Sequence, residues 1–251
     1  MNKEQYRLGL VSISFRKHTP KDILQAVKAA GLSCIEWGSD VHAPYHDTER
    51  LNEIAQLQKE YGIECSSYGT YFRLGETPEE ELVHYIAAAE ILGTDILRLW
   101  CGTKNSSGLS DEEKQALMEQ CRKAAQLAEQ HGVTLCMECH KGTYTEKLED
   151  ALALMREIDS PHFAMYWQPF QWQAVEENLA YAEAIAPYAH HIHVFQWKDK
   201  QRFSLNDGIG EWRGYLEKFS TPRTLLLEFM PDNAISSLAV EAEALRAIVK
   251  K

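Results

Sequence analysis

A chain of 251 residues with 45% apolar side chains, 25% charged side chains and a net charge of −11 has room for one large core. That charge disfavours nucleic acid as a partner. No apolar run approaches the ~20 residues that span a bilayer, and MNKEQYRLGLVSIS lacks the marks of a signal peptide, so a cytoplasmic protein without membrane contact is expected.

The first strand is read in RLGLVSIS. The helix TPKDILQAVKAAG follows, with Thr19 as cap, Pro20 at the first helical position and Gly31 as stop. CIEWG leads to TERLNEIAQLQKEYG, which stops at Gly62. IECSSYG leads to TPEEELVHYIAAAEILG, where Thr77 and Pro78 repeat the capped start. DILRLWCG precedes the long SDEEKQALMEQCRKAAQLAEQHG, with Ser110 and Glu113 at capping-box spacing. VTLCMECH, HFAMYWQP, HHIHVFQW and TLLLEFMP then alternate with four further helical patterns. In CMEC, Cys136 and Cys139 would point to opposite faces of a strand, so the pair reads as two reduced thiols. The six cysteines are not spaced as a disulfide framework.

Strict alternation of eight strands and eight helices implies a parallel sheet. The length suits a single α/β domain over residues 1–251, a (β/α)8 TIM barrel. A doubly wound sheet would carry a glycine-rich loop after its first strand; SISFRKHTP has no glycine. The loop from Phe195 to Gly210 is expected to fold over the barrel mouth.

Barrel active sites lie at the C-terminal ends of the strands. Glu138 ends the fifth strand, His193 the seventh and Glu228 the eighth. Two carboxylates and an imidazole at one mouth suit one divalent cation: Mn2+, Mg2+, Co2+ or Zn2+. The sixth strand end offers Gln168 and Gln171, whose amides bring no charge. Glu36, Tyr68, Arg98 and Trp100 end other strands, and His140 and Lys141 follow Glu138. These, with Trp167 beside Gln168, are candidates for contacting substrate, and Arg98 or Lys141 could meet a phosphate.

SISFR, IEWG, CMECHKGTYT, HIHVF and LLLEF resemble the xylose isomerase-like TIM-barrel superfamily, the sugar phosphate isomerase/epimerase group, over essentially the whole chain. The resemblance implies one divalent metal held by Glu138, Gln168, His193 and Glu228. Gln168 stands where the family has Asp, and Gln171 where it often has His. It also implies a metal-dependent isomerase or epimerase of a ketose or related polyhydroxy carbonyl compound. Glu138 and Glu228 would transfer the proton through a cis-enediolate. A lyase of the inosose or 3-dehydroshikimate dehydratase type shares the first step and then expels a hydroxyl. A non-catalytic sugar-binding barrel is a third reading, kept open by the two glutamines. An endonuclease IV-like DNA repair enzyme is disfavoured, because it needs more strand-end histidines and the chain is acidic. The partner is then a small sugar-derived molecule. Oligomeric state is left open, homodimer and homotetramer included.

Overall fold

Successive residues of a strand face opposite sides, and that parity sorts the side chains of this protein. A computed structural model describes residues 6–250. Eight strands close a barrel: β1 (Arg7–Val11), β2 (Cys34–Gly38), β3 (Glu64–Leu74), β4 (Ile96–Cys101), β5 (Thr134–Glu138), β6 (Phe163–Trp167), β7 (Ala189–Val194) and β10 (Thr224–Leu227). Every neighbouring pair is parallel, and β10 lies between β7 and β1. A short hairpin, β8 (Gln196–Lys198) and β9 (Gln201–Phe203), lies within the loop after β7.

Among the described residues, seven α-helices return the chain between barrel strands and an eighth follows the last: α1 (Pro20–Ala29), α2 (Thr48–Tyr61), α3 (Glu81–Leu92), α4 (Asp111–His131), α5 (Leu148–Ile158), α6 (Val175–Ile185), α7 (Ile209–Leu216) and α8 (Leu238–Val249). Capping boxes form at Thr19–Asp22 and Ser110–Glu113, as their spacing predicts. The expected start at Thr77–Pro78 does not form. Strand β3 runs on to Leu74, and Thr77 Oγ1 accepts the Arg73 N–H at 3.0 Å, so α3 begins only at Glu81. Among the described residues, no helix is long and apolar enough to cross a membrane.

Outward-facing strand residues such as Leu97, Leu99, Met137, Met165, Ile192 and Leu225 join the helices in one large core. The barrel interior holds a much smaller apolar cluster, including Val11, Cys34, Ile96, Cys136, Tyr166 and Leu226. Cys136 thus faces inward and Cys139 outward, and all six cysteines are free and buried. With so little apolar filling, the upper interior is left to polar side chains.

One inward position on β3 must be glycine. A Cβ on Gly69 would lie 2.6 Å from Glu36 Oε1 and 3.0 Å from Arg98 Nη2. Gly69→Ala should therefore overpack the interior and destabilise the fold by about 1–3 kcal/mol. Gly210→Ala, with nothing within 4 Å of its Cβ, should change stability by no more than about 0.5 kcal/mol. Urea unfolding of the two variants checks the contrast, and equal effects would refute it.

Candidate active site

Inward parity carries Glu36 on β2, Arg98 on β4, Glu138 on β5 and His193 on β7 into the same space, and β10 delivers Glu228 just past its end. The Arg98 guanidinium sits between two carboxylates. Its Nε is 3.6 Å from Glu36 Oε1 and its Nη1 is 3.2 Å from Glu138 Oε2. His193 Nε2 lies 3.5 Å from Glu36 Oε2, and Ser67 Oγ donates to the same oxygen at 3.0 Å. His193 Nδ1 lies 3.7 Å from Glu138 Oε1, 3.6 Å from Glu228 Oε2 and 3.4 Å from Gln168 Oε1. Glu138 is held further by Trp100 Nε1–H at 2.6 Å and by the Gln168 amide N–H at 3.0 Å.

This arrangement splits the carboxylates. Burial raises the affinity of Glu138 for a proton, but the Arg98 charge and the His193 hydrogen bond outweigh it and hold the carboxyl well below its usual range. Glu36 is likewise held down, to about 2, with His193 and Arg98 overcoming its burial. Glu228 goes the other way. Burial raises it, His193 only partly compensates, and the Glu138 charge adds to the rise, so it stands at about 7. Burial disfavours the imidazolium of His193, yet Glu228 and Glu36 prevail and push it up to about 10.

Parity also corrects part of the expected substrate contacts. Tyr68 faces outward on β3, fully buried, with its hydroxyl donating to Ala43 O at 2.5 Å. Trp167 faces outward between the inward Tyr166 and Gln168, and packs on Trp212, Tyr215 and Phe219. Neither can touch a ligand in the mouth. Glu36 and Arg98 face inward but are sealed beneath it, at 0% and 2% exposure, so Arg98 is not free to meet a phosphate. Trp100, His140, Lys141 and Gln171 are at the mouth as expected. His140 packs on Trp100 at 5.5 Å between ring centres. With Gln168, Gln171 and Lys141, it lines a cavity of about 570 Å³. Asp199 and Lys200, at the hairpin turn, line the same cavity, so the long loop does reach the mouth. Tyr71 and Arg73 extend the inward face of β3 above the carboxylates: Tyr71 meets Trp100 edge-on and the Arg73 guanidinium lies 4.1 Å over its ring. The alternation of TYFRL could have revealed Arg73.

A family described as xylose isomerase-like TIM barrel matches residues 24–246. The chain belongs to that family. Among similar proteins, this xylose isomerase-like barrel is 24% identical over 197 residues to a 3-dehydroshikimate dehydratase of Bacillus anthracis, covering 74% of this chain and 70% of that protein. The solved structure of AsbF from Bacillus anthracis, involved in petrobactin synthesis, superposes with a TM-score of 0.79 at 19% identity, over 96% of this chain and 99% of that one. The structure of the IolI protein with a bound zinc atom gives 0.76 at 13% identity, over 97% and 98%.

The chemistry of the donors fits a divalent ion. Imidazole, carboxylate and amide oxygen are ordinary ligands, and the oxygens around His193 Nδ1 approach the roughly 3–3.5 Å by which donors on one ion are separated when bonds are ~2.1 Å. The cage itself is not drawn tight: among the described residues, no three His, Cys, Asp or Glu groups are already set to hold a metal. An ion must displace the protons that the cluster holds. With His193 at about 10 and Glu228 at about 7, Mn2+ binding should release about one proton between pH 7 and 10 and about two below pH 7. The apparent affinity should therefore rise about tenfold per pH unit above 7, and more steeply below it. Calorimetry in buffers of different ionisation enthalpy checks this. An affinity independent of pH, or one retained in His193→Ala, would remove His193 from the site.

Proposed function

We propose that the protein is a lyase that removes a proton next to a carbonyl group of a polyhydroxylated, sugar-derived substrate and then expels a neighbouring hydroxyl as water. The observation that carries this reading is the inequality of Glu138 and Glu228. A two-base isomerase or epimerase needs two carboxylates that can both exchange protons. Glu138 is locked by Arg98, Trp100 and Gln168. Glu228 lacks these restraints: its carboxylate faces the His193 imidazole at 3.6 Å, and burial raises its proton affinity, as a general base requires. Similarity to the 3-dehydroshikimate dehydratase supports elimination over the isomerisation that the motifs put first.

The steps balance around one residue. The Glu228 carboxylate takes the α-proton, and the C–H electrons move into the enolate. They return to form the C=C bond as the β-hydroxyl leaves with the proton from Glu228, giving water and restoring the carboxylate. Glu138, Gln168 Oε1, His193 and one Glu228 oxygen would hold a divalent ion, which when bound supplies a Lewis acid to the substrate carbonyl. Beneath them, Arg98 and Glu36 fix Glu138 and His193 in place. The hairpin tip at Asp199 and Lys200 narrows the mouth and limits water there.

Glu228→Gln should lower kcat on 3-dehydroshikimate by at least about 10²-fold and abolish α-proton exchange in D2O. Glu138→Gln should mainly weaken Mn2+ binding, with a smaller loss of kcat when Mn2+ is saturating. Loss of one water, followed by mass spectrometry, reads turnover. Equal large losses of kcat and of exchange in both variants would favour the two-base reading, and full activity of Glu228→Gln would refute the mechanism.

A further inference from the structure

Above the buried carboxylates, the mouth carries the opposite charge from the rest of the molecule. The chain has a net charge of −11, yet Arg16, Arg73, Lys141, Lys200 and Arg202 gather at this end. Arg16 is neutralised by Asp40 at 2.9 Å, and Lys200 adjoins Asp199. Among the described residues, Arg73, Lys141 and Arg202 have no carboxylate oxygen within 4 Å. Arg202 lies against both Trp197 and Phe229, whose rings touch each other, and is bonded to Asn233. Lys141 lies over the exposed ring of Trp172.

Arg73 differs from both. It is half-buried, and one of its five N–H donors reaches Gly102 O at 3.2 Å. Its guanidinium carbon lies 4.1 Å over the ring of Trp100, whose indole N–H holds Glu138 at 2.6 Å. Burial and the nearby Arg98 charge disfavour its protonated form, and Glu138 and Glu76 offset them only in part, so an incoming anion would relieve it further. One indole ring separates this cation from the carboxylate cluster.

We propose that Arg73, stacked on Trp100, receives a carboxylate carried by the substrate and so sets which edge of a polyhydroxylated ring faces Glu138 and Glu228. The proposal rests on the reading of the mouth as the site of α-proton removal, and it narrows the substrate class to polyhydroxylated keto acids. A single planar fork on an aromatic plate suits a carboxylate held in two hydrogen bonds.

Calorimetry with Mn2+ present tests it, using quinate, a polyhydroxylated cyclohexane carboxylate, and myo-inositol, a comparable ring without the charge. The wild type should bind quinate more tightly than myo-inositol. Arg73→Gln should weaken quinate by at least about tenfold and leave myo-inositol unchanged. Arg73→Lys keeps the charge without the fork and should lose part of the preference, and it decides the matter alone if Arg73→Gln does not fold. An unchanged quinate affinity in the Arg73 variants, an equal loss of both ligands, or no quinate binding by the wild type would overturn the proposal. So would inorganic phosphate displacing quinate more effectively than acetate does, because the subsite would then be one for phosphate. Turnover of Glu228→Gln is measured separately, so an essential Glu228 beside an indifferent Arg73 removes only the carboxylate subsite.

Discussion

Three carboxylates inside one barrel require a buried cation, and Arg98 is that cation. Taking ions out of water costs several kcal/mol each unless they are paired and hydrogen-bonded. Arg98 meets this demand from the centre of the cluster, bridging Glu36 to Glu138 and donating to Thr70 O. The missing side chain of Gly69 gives it the room. Sequence, packing and charge converge here: a glycine on β3 allows an arginine on β4, which holds glutamates on β2 and β5.

That arrangement also gives the glutamine at the end of β6 a positive role. The Gln168 amide donates to both Glu138 Oε1 and Cys139 O, while its oxygen faces His193. A carboxylate in the same place would set like charge against Glu138 and a carbonyl. With Arg98 and Glu36 cancelling, two ionised glutamates are enough to neutralise a divalent ion beside a neutral histidine. The substitution therefore keeps the interior balanced where a further aspartate would leave it in excess.

The architecture was legible because helix stops, caps and strand rhythm are local signals, and eight repetitions admit few closures. Glu138, His193 and Glu228 were legible for a similar reason, since equivalent strand ends of a barrel converge. Strand parity, which separates Cys136 from Cys139, also sorts the aromatic side chains. Gln168 faces inward, so Trp167 must face the helices; Tyr68 lies one step off the inward Ser67 and Gly69. Other features depend on distance rather than pattern. Nothing local reveals that Arg98 turns inward to Glu36, or that β3 overruns its neighbours to lift Arg73 over Trp100. The unequal proton affinities of Glu138 and Glu228 arise from neighbours on four different strands.

The strand that closes the barrel is also the last of the eight in chain order. Without β10, the interior would hold Glu36, Glu138, Arg98 and His193, two negative groups and two that can be positive. An open sheet with those four is electrically settled, although β1 and β7 still lack a shared neighbour. Completion of the wall and arrival of the surplus acid Glu228 are then a single event. The carboxylate that balances no partner in the open sheet therefore belongs to the segment that seals it, and the interior holds its fifth charged group only when it is closed.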